Sequence, residues 1–302
     1  VIAERRWLHL LWVLPIMLVL LSATVLIAKV LRETGAVADF IDRFPGSPAP
    51  PPAAPIGLPA WIGWQHFLNA FFLLLVIRSG LEVRKPGRPS AFWTRSNTGL
   101  IRTKNRPRRM SLWLWIHLCF DALWMLNGIV FIVLIFVTGH WVRIVPTSWD
   151  VIPNAISVGI QYLSLQWPTD NGWANYHALQ LLSYFAIVFI VSPLAFISGI
   201  RLSSMWPQQA TRLNSRYPEK WARAVHFPVM LVFIGFIIVH VTLVLATGAL
   251  RNLNHMYAAR DDVGWLGFGI FAGSLVVMVV GWFAASPVVL RSIAALTGTV
   301  TR

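Results

Sequence analysis

HFPVMLVFIGFIIVH, residues 226–240, decides the fold. No charged residue lies between its two terminal histidines. On an α-helix, fourteen residues return a side chain to nearly the same face, ~21 Å further along the axis. His226 and His240 therefore point the same way at two depths of an apolar rod. A histidine inside a bilayer is costly and marks a function by default. Two metal centres stacked across a membrane, each holding one of these rings, account for the spacing.

The rest of the chain agrees with a membrane setting. It has 302 residues, 57% of them hydrophobic and 12% charged, with a mean hydropathy of +0.65. Six apolar stretches, at about 7–31, 60–81, 112–138, 175–199, 222–249 and 264–290, are each long enough to cross a hydrocarbon core of ~30 Å. The predicted fold is all-α: a polytopic transmembrane helix bundle of six spans, forming a single membrane domain over 1–302. The first span is too long for a signal-peptide core, and no small-residue cleavage site follows it at once. It reads as a retained helix.

The net charge of +14 is distributed by loop, which points away from nucleic acid. Between spans two and three lie Arg78, Arg84, Lys85, Arg88, Arg95, Arg102, Lys104, Arg106, Arg108 and Arg109, against Glu82 alone. Between spans four and five lie Arg201, Arg212, Arg216, Lys220 and Arg223, against Glu219. The alternate loops balance base with acid. This asymmetry is the positive-inside pattern, and it places both termini, with Arg5 and Arg6, in the cytoplasm. The basic loops serve topology first, and docking of a partner or anionic lipid second.

The single cysteine, Cys119, excludes an internal disulfide, and no C-x-x-C-H motif offers covalent haem attachment. Residues 45–59 are Pro-rich and extended, and the polar run 84–111 reads as a loop. Residues 148–167 alternate at near-helical spacing, as a structural cap or an interfacial helix would. Trp61, Trp64, Trp141, Trp221 and Trp265 fall at span ends, where indole rings anchor at the interface. No internal repeat stands out.

Depth follows from topology. Spans three and five start inside, so His117 and His226 share the inner level; span two starts outside, so His66 shares the outer level with His240. Each level thus holds two histidines from different helices. A b-type haem with two axial imidazoles needs that arrangement, because the ligands must reach opposite faces of one macrocycle. Pockets between bundle helices are a common haem setting. Zinc suits the pattern poorly, because no cysteines or carboxylates cluster with these rings. Of the other histidines, His9 reads as interfacial, and His140 and His255 fall at outer span ends, with water their expected contact. Asp121, one turn beyond His117, needs a partner at that depth. Arg78, Arg201 and Arg223 sit at the inner edge, where snorkelling is the default and pairing with haem propionates the functional option.

Four segments carry a family resemblance: WQHFLNAFFLLLVIRSGL (64–81), IHLCFDALWMLNGIVFIVLIF (116–136), NYHALQLLSYFAIVFIVSPLAFISGI (175–200) and the His226/His240 helix. They resemble the cytochrome b subunits of membrane formate dehydrogenases, nickel–iron hydrogenases and thiosulfate reductases, a cytochrome b561-like bundle. The resemblance spans roughly 60–250 and implies a four-helix core holding two haem b, with His66, His117, His226 and His240 as iron ligands. Residues 1–59 and 251–302 then add an outer helix with its Pro-rich loop and a C-terminal helix.

The family's third core helix opens with a Tyr-Asn-x-x-Gln pattern that helps bind quinone. Tyr176, His177 and Gln180 occupy those positions, with histidine in place of asparagine. His177 titrates near neutral pH and would accept a quinol proton. The extra first span inverts the core relative to the formate dehydrogenase subunit, which leaves the direction of electron flow open.

The function implied is a dihaem electron-transfer subunit between the quinone pool, menaquinone or ubiquinone, and a partner oxidoreductase of molybdopterin or iron–sulfur type. A histidine-lined transporter or proton channel without haem is the alternative. It calls for inverted repeats or broken, charge-lined helices, and the sequence displays neither. A pure membrane anchor leaves the fourteen-residue spacing unexplained.

Overall fold

A computed structural model describes residues 2–52, 54–97, 107, 109–167, 171–203 and 205–302, with side chains from residue 11 onward. The expectations for His9, Arg5 and Arg6, and for Arg102, Lys104, Arg106 and Arg108, lie outside those described side chains. In chain order the elements are α1 (Ile2–Arg32), α2 (Gly35–Arg43), α3 (Ala60–Arg84), β1 (Phe92–Arg95), β2 (Arg109–Ser111), α4 (Leu112–Val137), α5 (Val151–Leu163), α6 (Ala178–Ala186), α7 (Ser192–Leu202), α8 (Thr211–Arg216), α9 (Glu219–Ala246), α10 (Ala249–Leu253), α11 (Leu266–Ala284), α12 (Pro287–Ala295) and β3 (Gly298–Thr301).

Among the described residues six helical stretches are long and apolar enough to span a bilayer: Leu11–Arg32, Ala60–Arg84, Leu112–Val137, Ala178–Leu202, Glu219–Ala246 and Leu266–Ala284. The helical transmembrane architecture read from the sequence is therefore present. Two details differ. The sixth span stops at Ala284 rather than running to 290, because Ser286 and Pro287 break it and start α12. The run 84–111 is also more than a loop. Its β1 pairs antiparallel with β2 on one side and with β3, some 200 residues later, on the other.

The chain divides into two compact units. The first comprises the residues up to Ile56 together with Gly139–Ala186. Its helix α5 is amphipathic: Val151, Ala155 and Val158 recur at helical spacing and are buried with Tyr176, Ala178 and Leu181. Asn154 lies on that buried face and accepts from the amide of Gly46 at 2.8 Å, while the Gly46 carbonyl accepts from Ala178 at 2.8 Å. Gly46 has φ +112°, and a β-carbon there would meet Val158 at 2.6 Å, so glycine is required twice over. Helix α1 joins α5 through Arg32, which donates to Ser164 at 3.1 Å, and from Leu11 to Leu31 it turns apolar side chains outward, as a helix suited to hydrocarbon does.

The second unit comprises Gly57–Thr138 and Ile187–Arg302. Helices α3, α4 and α9 share a core of Leu73, Trp124, Val229 and Phe233, against which Ala195 of α7 packs. The span Ala178–Leu202 widens to a π-turn at Ile187–Val191, immediately before Pro193. Proline has no amide to bond the preceding turn, and the wide turn absorbs the mismatch while Ser192 bonds the Ile187 carbonyl at 2.8 Å. Helix α11 docks on a second π-turn, Asn254–Ala258, through Gly267, whose missing side chain lets its backbone rest against Leu253 and Asn254. The three-stranded sheet and α12 close one end of the unit, with Trp93 donating to the Ala294 carbonyl at 3.1 Å.

Candidate functional site

Four of the eight histidines meet in pairs within the second unit. His117 on α4 faces His226 on α9 with ring centres 6.3 Å apart and ring planes crossed at 90°. His66 on α3 faces His240 on α9 with centres 6.2 Å apart and planes at 50°. A metal ion taking one imidazole nitrogen from each side at ~2 Å, with ~1 Å more from that nitrogen to its ring centre, separates the centres by ~6 Å. Both pairs have that separation.

The His117–His226 pair is held from behind by two matching groups. Ser79 on α3 places its hydroxyl 2.7 Å from the Leu75 carbonyl and 3.0 Å from the Val76 carbonyl, and 3.0 Å from His117 Nδ1. A hydroxyl has one proton, and here it goes to a carbonyl, so its lone pairs face the imidazole. The Val76 carbonyl, which only accepts, lies 3.2 Å from the same Nδ1. Nδ1 therefore carries the hydrogen, and the lone pair is on Nε2.

On α7, Ser198 repeats the pattern. Its hydroxyl lies 2.6 Å from the Leu194 carbonyl, 3.1 Å from that of Ala195 and 3.0 Å from His226 Nδ1. The next residue is glycine in both places. A β-carbon on Gly80 would stand 3.1 Å from Cε1 of His117, and one on Gly199 would stand 3.4 Å from Cε1 of His226. His117 Nε2 lies 3.5 Å from a carboxylate oxygen of Asp121.

The His66–His240 pair is packed by aromatic rings instead. Tyr257 meets His66 edge-on at 5.9 Å, and Phe236 stacks on His240 at 5.4 Å. Among the described residues, His66 Nδ1 is buried with no hydrogen-bond partner. A buried polar atom without a hydrogen-bond partner is an exception in a folded protein.

Between the pairs lies an apolar layer set by sevens. Leu73 falls midway between His66 and Gly80 on α3, Phe233 midway between His226 and His240 on α9, and Trp124 seven residues after His117 on α4. Trp124 and Phe233 meet edge-to-face at 5.8 Å, and the indole donates to Asn69 at 2.8 Å. Among the described residues there is no group of three or more histidine, cysteine, aspartate or glutamate side chains placed to hold a metal ion.

Tyr176, His177 and Gln180 come together in the first unit at the start of α6. His177 is buried, and its Nδ1 accepts from the Gln180 amide at 3.1 Å, which leaves Nε2 to donate to the Tyr162 hydroxyl at 3.2 Å. Both ring nitrogens are thus engaged, one of them capping the helix. Gln180 donates to Tyr184 at 2.8 Å, and Tyr184 packs edge-on against Tyr176 at 5.3 Å. The Arg143 guanidinium lies 4.8 Å from the Tyr176 ring centre. Burial pushes the Tyr176 phenol above its ordinary range, with the Arg143 cation pulling the other way.

Other expectations resolve individually. His255 is buried and bonded to Asp261 at 2.8 Å, not turned to water as expected, because the π-turn folds the loop after α9 back on itself. His140 is half-buried in a short 3-10 turn. Arg223 is exposed and paired with Glu219, as a snorkelling residue would be. Arg78 and Arg201 are not: Arg78 lies over Trp282 at 4.9 Å and Arg201 over Trp206 at 4.9 Å, each with a buried Nη1 that lacks a partner among the described residues. Cys119 is half-buried beside the Trp93–Trp115 cluster, a core position. The groups that sequence reasoning missed are Ser79, Gly80, Ser198, Gly199, Trp124 and Tyr257. The Ser-Gly dipeptide recurring in two apolar spans was the available signal.

A family model described as prokaryotic cytochrome b561 matches residues 57–258, a segment that contains all four paired histidines and both Ser-Gly dipeptides. Neither the curated proteins nor the solved structures give a match to the chain.

Proposed function

The chain belongs to the prokaryotic cytochrome b561 family, and from that premise we propose that it is a dihaem electron-transfer subunit linking the quinone pool to a partner oxidoreductase. Membership makes it a multi-pass membrane protein with a haem b electron-transfer role. The finer reading rests on the paired histidines. The ring separations of 6.2 and 6.3 Å fit two b haems, one between His66 and His240 and one between His117 and His226.

Bound haem iron supplies reversible one-electron chemistry. The protein's part is to hold the iron, exclude water and set the spacing. On the inner side of a bacterial cytoplasmic membrane, His117 and His226 present Nε2 lone pairs, with their hydrogens committed to Ser79 and Ser198. On the outer side, His66 and His240 are walled by Tyr257 and Phe236. Leu73, Trp124 and Phe233 fill the space between the levels and keep water out of it. The buried guanidinium atoms of Arg78 and Arg201 suit propionate carboxylates. Tyr176, His177 and Gln180 are the proposed quinone contacts, with His177 as an orienting group because its nitrogens are already engaged. The basic loops suit a cytoplasmic or lipid-facing partner surface, and the partner is of molybdopterin or iron–sulfur type.

Reduction by quinol tests this reading. The oxidised protein in liposomes, mixed with a soluble menaquinol or ubiquinol analogue, is expected to show haem reduction within the mixing time of a stopped-flow instrument. Gln180→Ala is expected to slow that reduction at least tenfold while dithionite still reduces both haems. Equal rates in the variant and the parent protein would remove Gln180 from the quinone site.

A further inference from the structure

The Ser79–Gly80 and Ser198–Gly199 pairs occur on different helices, serve different histidines and repeat one another atom for atom. In each, the serine bonds the carbonyl four residues back, sits within reach of the one three back and lies 3.0 Å from a histidine Nδ1. In each, the following glycine leaves room for Cε1 of the same ring. A buried imidazole is free to turn about Cβ–Cγ unless a directed hydrogen bond and a steric wall stop it. The hydrogen bond is present twice, and in each case the glycine leaves the ring the space to lie in the plane that the bond sets.

We infer that these dipeptides are a duplicated positioning device that fixes the planes and the donor strength of the His117 and His226 imidazoles, and so makes the haem between them distinct from the other. The inference rests on the haem reading above. Two consequences follow. First, the ring planes are held at 90°, whereas those of His66 and His240 stand at 50°. Axial imidazole planes split the iron d orbitals according to their mutual angle, so the clamped haem should give the low-field ferric resonance of crossed ligands. Second, a hydrogen bond from Nδ1–H to an acceptor makes the imidazole a stronger donor, which favours ferric iron and lowers the potential. His66 Nδ1 lacks such an acceptor among the described residues. Donor strength thus pulls the clamped haem toward lower potential.

Electron paramagnetic resonance and a potentiometric titration of the purified full chain test this. The oxidised protein is expected to show two low-spin ferric signals, one of the crossed-plane type. Ser79→Ala or Ser198→Ala is expected to keep the other signal in place, move the crossed-plane signal to higher field and raise the midpoint potential of that haem alone. The Thr variants, which restore a hydroxyl, are expected to return both readouts toward the parent values. If an Ala variant loses one haem and its Thr counterpart keeps it, the hydroxyl is confirmed as the holding group.

If both serine variants misfold, Gly80→Ala decides. It keeps the hydroxyl but crowds Cε1, and it is expected to shift the same signal. Two haems retained with unchanged resonance and potential in the serine variants, or in Gly80→Ala, would overturn the inference and leave the haem assignment intact. A parent chain that binds no haem would overturn the haem assignment itself, and this inference with it.

Discussion

His226→Ala is expected to reduce bound haem from about two per chain to about one, and His240→Ala is expected to do the same with the opposite haem. On the proposed assignment each variant removes one of two axial ligands from a different level, and the ~21 Å along α9 separates the two losses. In His226→Ala the surviving haem should lack the crossed-plane resonance; in His240→Ala that resonance should be the one that remains. The partner variants His117→Ala and His66→Ala should reproduce the two results in the same order if each pair shares one iron as proposed. Haem extraction against protein mass, with spectra of the reduced form, reads all four. A variant of His226 that loses both haems with its helical content intact would break the claim of two independent sites.

Arg143→Ala is expected to be the most damaging change away from the histidines. The guanidinium is buried and donates to the carbonyls of Pro55 at 3.2 Å, Trp173 at 2.9 Å and Gly172 at 2.7 Å, and it packs against Tyr176. Removing it strands three carbonyls. At ~1–3 kcal/mol for each buried group left unsatisfied, a loss of several kcal/mol is expected. Arg143→Lys keeps the charge but not the planar fork and should recover only part of it. Thermal unfolding followed by circular dichroism, together with limited proteolysis of the segment 139–178, measures the effect. A melting temperature within a degree or two of the parent would show the carbonyls to be satisfied by water.

The histidine pairs and the spans were legible in the sequence for one reason: inside a bilayer, polar side chains are rare enough that each is informative. Loop charge gave each histidine a depth, and the structure brings together the rings assigned equal depth. Ser79 and Ser198 were not legible. A serine in an apolar helix most often bonds its own preceding turn, and these two do that as well. Only the position of the imidazole across the helix gap separates the two roles. The sheet escaped for a different reason: β1 finds its second partner in β3, far along the chain, and four-residue strands carry almost no periodic signal. His255 was misread because its position after α9 suggested solvent, whereas the π-turn at Asn254–Ala258 turns the ring inward onto Asp261.

The central claim is that this chain clamps two irons between imidazoles at two levels. The reduced-minus-oxidised absorption spectrum of the purified protein, with haem b extracted and counted against chain mass, measures it most directly. The account expects a red protein with a low-spin, bis-imidazole spectrum and about two haem b per chain. A folded, colourless protein that takes up no haem, and that instead passes protons or solute across a vesicle membrane, would contradict it.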